Sequence, residues 1–234
     1  MKILVIPDVH LKPDIIFKAQ NKMKQHGCDN AVFLGDFADD WGKGQHIGLY
    51  DDTFDALDDF LKNFPNSLIC YGNHDISYVW EKYETGYSPL AKDTVVARLY
   101  KLYEKHGKDR FRFIHKIDNV IFSHAGLTKG FVLQHFAYDT DATLERIIEI
   151  TNTMSEKDLW DDASPLWARP QHGYWYYSKN LLQVVGHTPV KKSVYDEEQK
   201  LLVCDTFSTY SDGKPIGNRK YIIVDTVTKD WEEV

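Results

Sequence analysis

Apolar positions along the chain fall first into short unbroken runs and then into helical stripes. Residues 2–7 (KILVIP) form a β-rich run without alternation, the pattern of a strand buried on both faces. Residues 14–26 carry Ile15, Ile16, Ala19 and Met23 at helical spacing and end at Gly27. A second buried strand over 31–34 is stopped by Gly35. Residues 51–64 then set Phe54, Leu57, Leu61 and Phe64 on one helical face ahead of Pro65, and a third strand over 67–71 is stopped by Gly72. Strand and helix alternating over short links predict a parallel α/β sheet.

Beyond residue 75 the pattern loosens. Residues 76–107 read as helical, with Val95, Val96, Leu99, Leu102 and Tyr103 on one stripe. Adjacent strands are expected over 111–115 and 119–123, and a helix over 141–154. An aromatic stretch follows from Trp160 to Tyr177, and strands over 182–185, 200–204 and 221–225 close the pattern. No linker, internal repeat or low-complexity tract interrupts the 234 residues, so one domain is the economical reading.

Composition narrows the class. Hydrophobic residues at 43% and charged residues at 27% fit an ordinary globular chain rather than a disordered or fibrous one. The apolar run Ile3 to Ile6 is far short of the roughly 20 residues that span a bilayer. The polar break at Asp8 and His10 comes too early for a cleavable signal, so a cytoplasmic protein that avoids membranes is expected. Three widely spaced cysteines without a CxxC argue against a disulfide framework or a zinc–thiolate site, and fit free, mostly buried thiols. A net charge of −7 disfavours a non-specific nucleic-acid groove. A phosphate substrate stays open, because a local metal site reverses the sign where it matters.

Candidate chemistry gathers at strand ends. The first three strands run into Asp8-Val9-His10, Gly35-Asp36 with Asp39 following, and Gly72-Asn73-His74-Asp75. Two later strands lead to His124 in Ser-His-Ala-Gly and His187 in Gly-His-Thr-Pro. Carboxyl ends of parallel strands share one edge, where ligands bind. Carboxylates, an amide and imidazoles collected there suit Mn²⁺, Fe or Zn²⁺ better than Ca²⁺.

These blocks resemble the signature motifs of the calcineurin-like metallophosphoesterases, over residues 3 to about 190. Ser123-His124-Ala125-Gly126-Leu127 and Val184-Val185-Gly186-His187-Thr188-Pro189 look most like the bacterial and phage serine/threonine phosphoprotein phosphatases, a branch that includes symmetrical diadenosine tetraphosphatases. The resemblance implies a four-layer αββα sandwich over 1–234, with 76–110 as a helical cap insertion. It implies two divalent metals, manganese first: Asp8 and His10 on one, Asp36 bridging, and Asn73, His124 and His187 on the other. His74 matches the catalytic histidine that protonates the leaving group, and Asp39 the carboxylate that orients it.

Two departures stand out. The family's phosphoprotein phosphatases have Arg where this chain has Asp40, which then either faces the site and repels a phosphate dianion or turns to solvent. Pro189 stands where many phosphodiesterase relatives carry a second histidine. The segment Trp167-Ala168-Arg169 is similar to one near the active site of bacterial relatives, which makes Arg169 a candidate phosphate contact. The expected function is hydrolysis of phosphomonoesters, phosphoproteins among them, with a phosphorylated protein or nucleotide as partner. A diadenosine tetraphosphatase, nucleotide hydrolase or phosphodiesterase is the alternative within the enzymes, and a non-catalytic scaffold of the same fold is the alternative outside them. Oligomeric state is left open by the sequence.

Overall fold

A computed structural model describes residues 1–137, 139 and 142–234. In chain order the first half contains β1 (Lys2–Ile6), α1 (Pro13–His26), β2 (Asn30–Phe33), α2 (Ile47–Asn63), β3 (Leu68–Cys70), α3 (Asn73–Trp80) and α4 (Lys92–His106). The second half contains β4 (Phe111–Arg112), β5 (Ile114–Ile117), β6 (Val120–Ser123), α5 (Lys129–Phe136), α6 (Leu144–Thr151) and α7 (Glu156–Leu159). It closes with β7 (Leu182–Pro189), β8 (Val194–Asp196), β9 (Leu201–Asp205), β10 (Ile222–Asp225) and β11 (Trp231–Glu233).

The strands form two sheets, ordered β11-β10-β1-β2-β3-β4 and β5-β6-β7-β9-β8. β1 to β4 run parallel, as do β6, β7 and β9, with antiparallel strands at the margins. Along β1 the unbroken apolar run serves two cores: Ile3 and Val5 face the second sheet, packing with Phe122, Val184 and Leu202, while Leu4 and Ile6 face the helices. α1, α2 and α4 cover the first sheet, and α5 and α6 cover the second around Ile121 and Phe131. The result is the four-layer αββα arrangement.

Several boundaries differ from the sequence pattern. The helical run 76–107 is two helices, because α3 ends at Glu81 in the left-handed region (φ 53°) and 82–91 form a loop before α4. The run 111–115 is split between sheets: β4 pairs with β3, β5 pairs with β6, and the chain crosses at Phe113. Asn152 braces that crossing, its Oδ1 accepting from Phe113 N and Ile114 N at 2.9 Å each. The helix expected over 141–154 is confined to α6, whose Thr143 Oγ1 caps Arg146 N; Asp141 lies outside the described residues. α5 is an addition, N-capped by Thr128, and so are the short margin strands β8 and β11. Among the described residues no helix is long and apolar enough to cross a membrane. Cys70 and Cys204 are buried free thiols and Cys28 is half-buried.

Candidate metal centre

The carboxyl ends of β1, β2 and β3 meet those of β6 and β7 at one end of the two-sheet stack. Asp8 and His10 follow β1, Asp36 follows β2, and His124 follows β6. Three residues expected at strand ends sit differently. Asn73 and His74 occupy the first turn of α3, where the positive end of the helix and its free N–H groups favour anions. His187 lies inside β7, at the irregularity between Val185 and Pro189, in the left-handed conformation (φ 59°). His10, Asp36 and Asp39 also adopt positive φ (46°, 51° and 62°), a concentration of backbone strain characteristic of functional sites. Gly72 and Gly186 are required by close approach: a Cβ on Gly72 would strike the Asp36 carboxylate, and one on Gly186 the Asp8 carboxylate.

Two sets of donor atoms converge, sharing Asp36: Asp8, His10 and Asp36 in one, Asp36, His124 and His187 in the other. Asn73 joins the second through Oδ1, 2.8 Å from His124 Nε2. The chemistry of these contacts fits a cation. His124 Nδ1 lies 2.8 Å from the Leu34 carbonyl, which can only accept, so this nitrogen carries a hydrogen and Nε2 is the one that offers its lone pair whenever the ring is neutral. That lone pair faces Asn73 Oδ1, His187 Nδ1 at 3.0 Å and Asp36 Oδ2 at 3.3 Å. Asn73 cannot offer its amide hydrogens instead, because Nδ2 donates to Glu84 Oε2 at 2.7 Å. His10 repeats the pattern, with Nδ1 on the Asp39 carbonyl at 2.9 Å and Nε2 directed to Asp36. The buried Nε2 of His187 and Oδ2 of Asp205 have no partner among the described residues. Asn73 Oδ1 and Asp36 Oδ2 gathered on one imidazole nitrogen need a proton or a cation between them, and the donor set fits the metals the motifs imply.

The electrostatics agree. Burial pushes the Asp8 carboxyl well up, and the neighbouring charges of Asp205 and Asp36 add to the shift. Asp36 is held well below the usual carboxylate range despite its burial, by His124, His74 and His10 around it. Burial lowers His10 and, together with His124 and Arg169, sends His187 well down. His124 is pushed up to about 9, Asp36 and Asp8 outweighing its burial.

Beside this cluster lies a clamped histidine. His74 Nδ1 is 3.1 Å from Asp39 Oδ2, and the His74 backbone N–H donates to Asp36 Oδ1 at 3.0 Å. The hydroxyls of Tyr50 (2.8 Å) and Tyr78 (2.5 Å) both donate to Asp39 Oδ1. His74 is pushed up to about 10: burial opposes the shift, but Asp36, Asp39 and Glu84 surround the ring. Glu84 is pushed up to about 7, chiefly by burial. Asp75 caps α3, accepting from Gly72 N at 3.1 Å, and ties it to the loop after β2 through Phe37 N and Ala38 N.

His10, Asp36, Asp39, His74, Arg169 and His187 share one cleft of about 370 Å³. Arg169 donates from Nη1 to the His187 carbonyl at 2.7 Å. Trp167 packs edge-on against the His187 ring at 5.7 Å, so the aromatic stretch backs this histidine. Asp40 takes the first of the two courses expected of it, but with its charge partnered. It lines the cleft but is engaged, by Lys12 Nζ at 3.4 Å and Thr209 Oγ1 at 3.0 Å. Glu84, Lys12, Tyr50 and Tyr78 carry no local sequence signal. Asp205 is missed although it stands at the end of the strand expected over 200–204, the signal that finds the candidate ligands.

Carboxylate shared between two donor sets, with a protonated imidazole alongside, is suited to hydrolysis of phosphoesters. The family model for calcineurin-like phosphoesterases matches residues 1–207, and the chain belongs to that family. It is a hydrolase acting on phosphoesters, and its family typically uses a dinuclear metal centre. A cold-active protein-tyrosine phosphatase of a psychrophilic Shewanella species superposes with a TM-score of 0.57 at 18% identity, over 99% of this chain and 80% of that one. A protein serine/threonine phosphatase from Saccharomyces cerevisiae, with similarity to human phosphatase PP5, gives 0.57 at 18% identity over 96% and 72%. At this identity the two speak for the fold. No curated protein matches the chain.

Proposed function

We propose that the protein hydrolyses phosphomonoesters, phosphoproteins among them, in the cytoplasm, with Asp8, His10 and Asp36 holding one divalent cation and Asp36, Asn73, His124 and His187 a second, manganese being the first choice. Bound there, the cations supply an acidified water and offset the charge of the phosphoryl oxygens. His74 protonates the departing ester oxygen from Nε2, the nitrogen that Asp39 leaves free. Asp39 fixes the tautomer and orientation of the ring. Arg169 takes non-bridging phosphate oxygens with the donors not used on His187.

The observation that carries this reading is the His74–Asp39 pair at 3.1 Å, in the same cleft as Asp36. A scaffold without catalysis has no use for a charged imidazole–carboxylate pair braced by two tyrosines. Manganese, an aryl monoester, an aryl diester, diadenosine tetraphosphate and peptides phosphorylated on Ser, Thr or Tyr make the test. The monoesters are expected to turn over fastest and chelated protein not at all. Preference for the diester or the tetraphosphate would displace this reading, and no hydrolysis of any of them would favour the scaffold.

A further inference from the structure

The cleft is built unevenly. Its buried and half-buried lining includes His10, Asp36, His74, Arg169 and His187; its exposed lining, the outer end, is Trp41, Gly42, Thr85, Gly86 and Pro189. Trp41 is 51% exposed yet tethered, its Nε1 donating to the Thr209 carbonyl at 3.0 Å and its backbone N–H to Asp40 Oδ1 at 3.0 Å. Asp40 is in turn held by Thr209 and Lys12, so the indole is a pre-placed wall. Set on the lining of the cleft that holds His74 and Arg169, the indole offers a flat apolar face to whatever enters. Gly42, next to it in the chain, faces open space, and Gly86 lies against His74, where a Cβ would come 3.4 Å from Cε1.

Charge narrows what can enter. Among the described residues lining the cleft, Arg169 is the one lysine or arginine, and one arm of its fork is on the His187 carbonyl. Asp40 on the same lining is already paired with Lys12 at 3.4 Å, so a leaving group with further phosphates would find no lysine or arginine of the lining beyond Arg169 to take them.

We propose that this outer end takes a flat, uncharged aromatic ring carried close behind the scissile ester oxygen, so that the preferred substrates are aryl or nucleoside phosphomonoesters over alkyl ones. The inference rests on the phosphomonoesterase reading for its chemistry, but its test does not depend on turnover. Phenylphosphonate and methylphosphonate present the same anion with and without a ring, and neither can be hydrolysed, so leaving-group reactivity drops out. On the manganese-loaded protein, phenylphosphonate is expected to bind roughly ten-fold tighter, the usual scale of an aromatic stack. Trp41→Ala is expected to abolish that difference and Trp41→Phe to keep most of it. Equal affinity for the two in the unmutated protein, or a difference that survives Trp41→Ala, overturns the proposal. A phosphotyrosine peptide and a nucleoside 5′-monophosphate, compared by kcat/KM, then tell which source supplies the ring. Failure to hydrolyse either while phenylphosphonate keeps its Trp41-dependent advantage would count against the phosphomonoesterase reading and not against the slot.

Discussion

His74 carries a proton at neutral pH because three carboxylates outweigh its burial and push it up to about 10. The sign follows directly: the donor form exists below that value and is lost as pH rises through it, earlier when cations bound nearby lower it. Turnover of an alkyl monoester should therefore fall on the alkaline side, while a nitrophenyl ester, whose leaving group needs little protonation, should fall much less. His74→Asn should cost about 10²–10⁴-fold in kcat on the alkyl ester, with metal content unchanged by elemental analysis. Asp39→Asn should move the alkaline limb to lower pH. Glu84 acts one contact further out: its Oε2 fixes the Asn73 amide so that Oδ1 faces the cluster. Glu84→Ala should weaken metal binding about 10–100-fold in a calorimetric titration, with Glu84→Gln much milder because an acceptor for Nδ2 remains. Asp40→Arg, which on sequence grounds would recruit a phosphate contact, instead sets a guanidinium against Lys12. It should lower stability by about 1–3 kcal/mol without raising the preference for monoesters over diesters, and adding Lys12→Glu should recover stability. Each residue tied to a strand end or a motif was open to sequence reasoning. Glu84, Lys12 and the two tyrosines were not, because each acts through a partner that only tertiary folding supplies.

At the scale of elements, the misread stretches share one cause: periodicity reports which faces are apolar, not where the chain turns. The stripe from Val95 to Tyr103 belongs to α4 alone, and nothing in it reveals that the chain leaves the helix at Glu81 to deliver Thr85 and Gly86 to the cleft and Glu84 to Asn73 and His74. Likewise 111–115 has the composition of one strand, yet Phe113 marks a change of sheet secured by Asn152, a residue about forty positions away. The early strand and helix pattern survives because each of its elements packs on its sequence neighbour. Phe122 reports on the contact that no local pattern encodes. It is fully buried between the sheets with Ile3, Val5 and Val184. Phe122→Ala should cost about 3–5 kcal/mol in chemical denaturation, more than a half-exposed aromatic such as Tyr210 would, and should lower metal affinity as the two sheets loosen.

Across the whole molecule, folding brings Asp8, Asp36 and Asp205 together in a protein that already carries a net charge of −7. Something positive must accompany them. In chelated protein the task falls to protons on His124 and His74, pushed up to about 9 and about 10, above the ordinary histidine value of 6.5. A group whose folded pKa is raised stabilises fully below its unfolded value and loses that contribution as pH rises through the folded one. Chelated protein should therefore lose stability between pH 6.5 and about 9 or 10. Asp8 shifts upward too, so its ionisation works in the same direction. With divalent cations bound, His124 must be neutral to offer its lone pair, and the ion supplies the positive charge at every pH in this window. Melting temperature measured with manganese and with chelator at pH 6.5, 7.5 and 8.5 should thus diverge, nearly flat in the first case and falling in the second. Parallel curves would mean that the buried carboxylates find their counter-charge elsewhere. Asp36→Asn should bring the two curves together, because it removes the carboxylate common to both donor sets and with it the attraction for proton and cation alike.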